Sequence, residues 1–260
     1  MPEPRIRYER KESIGLLVLD RPEKLNAIDL DALAALERTI AGIEADRLVR
    51  AVVLAGEGRA FSTGGDIRAW SGMSPADFGF DWVRYGHRVF SRLAQLRVPV
   101  IAALEGAVLG GGLELAATAD IRIAGEGVRF GLPEAGLGMV PGWSGTQRLV
   151  RRFGQQVVRR MALGGEVIDA AEGLRLGLVD RICPAGEARE MAEAHARDIA
   201  GRGPQALAAV KLMINAAEGE EREAALETLA SMHIAGTPDL GEGVAAFLEK
   251  RRPDFSGEEK

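Results

Sequence analysis

Two runs, "VRAVVLAG" (49–56) and "VPVIAALEG" (98–106), are apolar at nearly every position. A strand with one wet face alternates apolar and polar residues, whereas a strand without that alternation is buried on both faces. Each run therefore belongs inside a sheet covered on both sides. "IGLLVLD" (14–20) is a third β-rich run and "IRIA" (121–124) a fourth. Between them lie helical segments. "DLDALAALERTIAGIEAD" (29–46) repeats Leu30, Leu33, Leu36, Ile40 and Ile43 at intervals of three and four, with Asp29 placed to cap its start. "VRYGHRVFSRLAQL" (83–96) is predicted helical, and "VRFGLPEAGLG" (128–138) runs from strand into loop. From about residue 145 the pattern turns helical, in segments separated by Gly or Pro and interrupted only by a strand, "LVDRIC" (178–183). The order predicts an α/β core over residues 1–195 and a helical region over 196–260. The last segment, "GVAAFLEKRR", is amphipathic but short. It needs a surface to bury Val244, Phe247 and Leu248, on its own core or on a neighbouring subunit.

Composition removes several classes. With 47% hydrophobic and 27% charged residues over 260 positions, the chain is globular. No run approaches the roughly 18 apolar residues that a membrane span needs. The opening "MPEPRIRYERKE" is charged, with no apolar signal core, so export is not expected. The one cysteine, Cys183, precludes an intrachain disulfide and fits a reducing cytoplasm; beside Pro184 it reads as a small residue closing a strand. A net charge of −5 argues against a nucleic-acid surface. The three histidines, His87, His195 and His233, are far apart in helical segments, so neither a metal site nor a Ser-His-Asp triad is expected. They read as surface or core residues.

Two glycine-rich loops follow strands. In "LAGEGRAFSTGGD" (54–66), "GEGRAF" approaches the dinucleotide fingerprint, but Phe61 stands where its third glycine belongs. Neither loop has a Walker lysine. The second, "LGGGLELAATAD" (109–120), places glycines just before a helix, where free N–H groups and the helix dipole suit a developing oxyanion. Glu114 follows Gly111 by about one turn and falls on the same side; an acid in the first turn of a helix is also common without any function. Glu134, after Pro133 in "FGLPEAGLGMVPG", presents a second carboxylate from another strand-ending loop. Two carboxylates beside a loop rich in N–H groups make an acid–base site.

The ordered set "LDRPEKLNAI", "GEGRAFSTGGDI", "GAVLGGGLELAATADIRIA", "FGLPEAGLGMVPGWSGTQRL", "AAEGLRLGLVDRI", "AAVKLMINAA" and "EGVAAFLEKRRPDF" resembles the crotonase superfamily from about Ile14 to Phe255, and within it the enoyl-CoA hydratases. The resemblance implies an α/β, crotonase-like spiral of repeated ββα units, a C-terminal helical region serving trimerisation and as a lid, and assembly as homotrimers or dimers of trimers. It implies that the N–H groups of Gly65 and Gly111 hold the thioester oxygen of an acyl-CoA. Glu114 would activate water for the β-carbon, and Glu134 would move the proton at the α-carbon. Two carboxylates favour hydration of trans-2-enoyl-CoA over isomerisation, with coenzyme A as part of the substrate and neither metal nor redox cofactor. The implied contacts to that substrate are Lys24, Leu25, Ala27, Thr63, Asp66, Ile67 and Arg68, together with Gly110, Pro133, Gly142 and Trp143; Lys211 and Lys250 are weaker phosphate candidates.

Thr63 departs from the family's commoner alanine, and Ala235 stands where many hydratases carry an aromatic. The segment 70–86 concentrates Trp70, Phe78, Phe80, Trp82 and Tyr85, which either line a pocket with Trp143 or pack a lid on its own helix. Other crotonase reactions (isomerase, decarboxylase, specialised dehydratase) remain open. An RNA-binding homologue would want a lysine-rich helix, which 29–46 is not.

Overall fold

The computed structural model describes residues 5–220, 222, 228, 233 and 238–255. The two non-alternating runs become β3 (Ala51–Gly56) and β4 (Val100–Leu104), the central strands of a six-stranded sheet. Its order is β1 (Ile6–Lys11), β2 (Ile14–Leu19), β3, β4, β6 (Ile121–Gly125) and β9 (Arg181–Cys183). All neighbours are parallel except β1 and β2. The pleat sends alternate side chains to opposite faces. Val52, Leu54, Val100, Ala102 and Leu104 enter one core with α1 (Leu30–Ala45). Ala51, Val53, Ala55, Ile101 and Ala103 enter a second core against α9 (Ala188–Ala200). The small residues Ala188, Ala192 and Ala196 make one face of α9 and let it lie close to the sheet. Asp29 caps α1 as expected, accepting from the Ala32 N–H at 2.9 Å.

A second sheet holds β5 (Ala107–Leu109), β7 (Arg129–Gly131) and β8 (Ile168–Asp169). The chain repeats one step: β4 joins the large sheet and β5 the small one, then β6 the large and β7 the small. The helix α5 (Gly111–Ala116) follows β5. The other helices are α2 (Ile67–Trp70), α3 (Pro75–Asp77), α4 (Tyr85–Ala94), α6 (Arg148–Phe153), α7 (Gln155–Ala162), α8 (Ala170–Arg175) and α10 (Pro204–Ala217). A π-helical stretch, Phe78–Arg84, leads into α4.

Several features differ from the sequence reading. The charged opening contains β1, an edge strand whose Arg7 pairs with Asp20 and Glu57 and whose Arg10 pairs with Asp46. The strands β5, β7 and β8 are two or three residues long, too short to show periodicity. The expected division at 195/196 falls inside α9, which is fastened to the sheet; the chain clusters into compact units Met1–Ala208 and Ala209–Lys260. In the second unit the helix Pro238–Glu249 buries Ala246 and leaves Val244, Phe247 and Leu248 exposed. Ala235 lies outside the described residues. No helix among the described residues is long and apolar enough to cross a membrane.

Phe130 on β7 is fully buried, and its ring packs so closely on α8 that a Cβ at Gly173 would lie 2.9 Å from it. Phe130→Ala is expected to destabilise the fold by about 3–5 kcal/mol, read as a lower denaturant midpoint.

Candidate active site

The site begins with Asn26, a buried residue at φ +55 that follows the turn Pro22–Lys24. Its amide donates to the carbonyls of Glu57 (2.9 Å) and Ala60 (2.8 Å), and its side-chain oxygen accepts from the Arg21 N–H at 2.9 Å. Ser62, also buried, donates its hydroxyl to the Asn26 carbonyl (2.8 Å) and accepts from the Gly64 N–H (3.1 Å). The Ser62 N–H donates to Ala107 and its carbonyl accepts from Leu109, stitching the first glycine loop along β5. This pairing brings the two glycine loops into contact. A Cβ on Gly112 would sit 2.3 Å from the Ser62 carbonyl oxygen, so only glycine allows the approach. Gly110 takes φ +52 and ψ −127 at the mouth of α5, and a Cβ there would meet Glu134 Oε1 at 2.8 Å. Among the described residues, the N–H groups of Gly65 and Gly111 donate to no other backbone carbonyl. Gly111 is the first residue of α5, where no intrahelical acceptor exists.

Both carboxylates reach the cavity these loops enclose, which has a volume of about 370 Å³. Glu114 is buried on α5, and its Oε1 accepts from the N–H groups of Trp143 and Gly145, each at 2.6 Å. Burial is the main force on its proton and raises the pKa from the ordinary 4.5 to about 7. The charge of Glu134 adds to the rise; the two N–H bonds and Arg148 oppose it. Glu134 is half-buried in the turn Glu134–Leu137, with no hydrogen-bond partner on Oε2. Its pKa is also raised by burial.

The cavity gathers Thr63, Gly65, Ile67, Gly110, Gly111, Glu114, Pro133, Glu134, Gly142 and Trp143 from the expected set. Lys24, Leu25, Ala27, Asp66 and Arg68 do not line it. Leu25 accepts from the Thr63 N–H at 3.1 Å, and Ala27 from the Arg21 guanidinium at 3.1 Å. Asp66 pairs with Arg21 (2.8 Å) and caps α2; Lys24 and Arg68 are exposed. Lys211 is buried on α10, and Lys250 is exposed.

Trp70, Phe78 and Trp82 line the cavity with Trp143, whereas Phe80 is exposed and the Tyr85 hydroxyl donates to Glu37. Trp143 packs against Trp82 and Phe90, with ring centroids 5.0 and 5.1 Å apart. Its indole N–H donates to the Trp82 carbonyl at 3.2 Å, and its ring lies against Gly111. His87 corrects the surface-or-core reading: it lines the cavity, and its Nδ1 is 3.0 Å from Ser144 Oγ. Sequence spacing carries no trace of that contact, because 57 residues separate the partners. His195 is half-buried on α9 and His233 exposed.

A buried carboxylate, Glu114 on α5, and a half-buried one, Glu134 in the turn after β7, line one cavity together with Gly65 and Gly111. The sequence profile of the enoyl-CoA hydratase/isomerase family matches residues 9–258, and the chain belongs to that family. Its relatives include a probable mitochondrial enoyl-CoA hydratase of Arabidopsis thaliana, 40% identical over 92% of this chain and 80% of that protein. A short-chain-enoyl-CoA hydratase of Clostridium acetobutylicum is 37% identical over 94% of each. Among solved structures, DspI of Pseudomonas aeruginosa superposes with a TM-score of 0.82, at 33% identity and 96% coverage of both chains.

Ionised Glu114 is a charge the folded chain must bury and the unfolded chain need not. A carboxyl at 4.5 when unfolded and about 7 when folded stabilises the fold fully below about pH 4.5. That contribution is lost as pH rises through about 7, by about 3 kcal/mol in total. Glu114→Gln, uncharged throughout, is expected to gain about that much over wild type between about pH 4.5 and pH 8 in urea unfolding. A constant difference across this range would show that burial does not control the proton.

Proposed function

We propose that this chain is an enoyl-CoA hydratase that adds water across the double bond of a trans-2-enoyl-CoA, giving 3-hydroxyacyl-CoA. The observation that carries the reading is that both carboxylates open into one cavity beside the Gly65 and Gly111 amides. Those amides would hold the thioester oxygen as negative charge moves onto it from the α-carbon; one such donor is worth about 2.7–4 kcal/mol. The environments of the two acids divide the labour. Glu114 accepts two N–H bonds, which favour its ionised form, so it takes a proton from the water attacking the β-carbon. Glu134 has one oxygen unpartnered and burial that favours its protonated form, so it supplies the α-carbon proton. The names of the relatives point the same way.

An isomerase would move one proton between two carbons and has less need of the second, N–H-bonded carboxylate. Coenzyme A is part of the substrate, and the chemistry requires no metal or redox cofactor. Lys24, Leu25, Ala27, Asp66 and Arg68 are proposed to contact the coenzyme A portion outside the cavity, and Ile67 at its wall, with Lys24 and Arg68 offering positive charge to phosphates. Assembly as a homotrimer or dimer of trimers, through the region 196–260, is supported by the exposed Val244, Phe247 and Leu248. A cytoplasmic location is supported by the single free thiol of Cys183.

With crotonyl-CoA, loss of the enoyl-thioester absorbance is expected for wild type, and Glu114→Ala and Glu134→Ala should each lower kcat by about 10²–10⁴-fold. The rate should fall as pH drops below about 7, because Glu114 must be ionised. A wild-type protein inert toward every enoyl-CoA tried, or two alanine variants as fast as wild type, would refute the reading.

A further inference from the structure

The turn that offers Glu114 its two donors has a conformation its own residue disfavours. Ser144 is buried at φ +88, in the left-handed region where a side chain is unwelcome. The amides on either side of it, those of Trp143 and Gly145, converge on the single oxygen Glu114 Oε1. Two bonds hold this turn to the segment leading into and along α4. The Trp143 indole donates to the Trp82 carbonyl, and Ser144 Oγ is hydrogen-bonded to His87 Nδ1 at 3.0 Å. The helix α4 is a firm anchor, because Val89, Phe90 and Leu93 are buried in the main core. Its Gly86 leaves room for the indole, since a Cβ there would lie 2.2 Å from Trp143 Nε1.

We propose that His87 and Ser144 are a positioning pair. Their hydrogen bond holds residue 144 in the left-handed conformation, and that conformation aims both amides at Glu114. The carboxylate is thereby fixed in place and kept available as a base. The kinetic consequence rests on the hydratase reading; the geometric claim does not. The other charged groups acting on Glu114 are Glu134, from the turn Glu134–Leu137, and Arg148, from α6. His87 on α4 and Arg84, in the π-helical stretch before it, are the other titratable groups at the cavity. Substitution at 144 leaves all four in the chain.

The test separates hydroxyl from backbone. Alanine at 144 removes the hydroxyl and keeps the aversion to positive φ; glycine removes the hydroxyl and is at ease there. Ser144→Ala and His87→Ala are expected to lower kcat for crotonyl-CoA about tenfold with little change in KM. Their acid limb should move to higher pH, because a Glu114 with fewer donors holds its proton more tightly. Ser144→Gly should recover most of the loss, and in that background His87→Ala should shift the limb by less than half as much as in wild type. Damage from Ser144→Gly equal to that from Ser144→Ala would overturn the proposal, as would an undiminished effect of His87→Ala. Infrared difference titration of the Glu114 carboxyl, referenced to Glu114→Gln, reads the same shift without turnover. If wild type fails to hydrate crotonyl-CoA, the hydratase reading for that substrate fails, while the infrared titration still decides the pair. If Ser144→Ala does not fold, Ser144→Gly with and without His87→Ala decides it.

Discussion

The architecture of the site depends on the bonding of one buried serine. Each polar group of Ser62 is engaged: its N–H with Ala107, its carbonyl with Leu109, its hydroxyl with both Asn26 and the Gly64 amide. These bonds draw the loop after β3 alongside the strand before α5. The amides of Gly65 and Gly111 then face one cavity without an acceptor of their own. An unmade hydrogen bond costs free energy, and the proposed hydratase reading would give both donors an acceptor in the thioester oxygen. Glycine at 112 is the condition for the approach, since any Cβ would strike the Ser62 carbonyl.

The acids are treated unequally by the same enclosure. Burial pushes both toward the protonated form; the N–H groups of Trp143 and Gly145 oppose it at Glu114, and only the residue's own N–H does so at Glu134. In the proposed hydration, that inequality would make one of two identical side chains the base and the other the acid. It also places a stability cost at the site, because an ionised, buried carboxylate is offset only in part by two donors. The rest of the fold supports that cost with two cores, one on each face of the large sheet.

The aromatic residues link site to scaffold. Trp143 lies against Trp82, Phe90 and Gly111 at once, so this wall of the cavity is set by packing against α4 and the π-helical stretch before it. The strained turn at Ser144 persists because those contacts, with His87, over-determine its conformation.

The sequence by itself determined the elements whose signals are local. The long buried strands, the Asp29-capped helix, the two glycine loops, Glu114 and Glu134 were all legible, because periodicity, capping and turn chemistry act over a few residues. The edge strand β1 was hidden by its charges, and β5, β7 and β8 by their brevity. Tertiary structure alone decided what meets across long separations. It set Glu114 against amides 29 and 31 residues away, His87 against Ser144, and Asn26 between the carbonyls of Glu57 and Ala60. Such contacts leave no pattern along the chain, because their partners are brought together only when the sheets and helices pack.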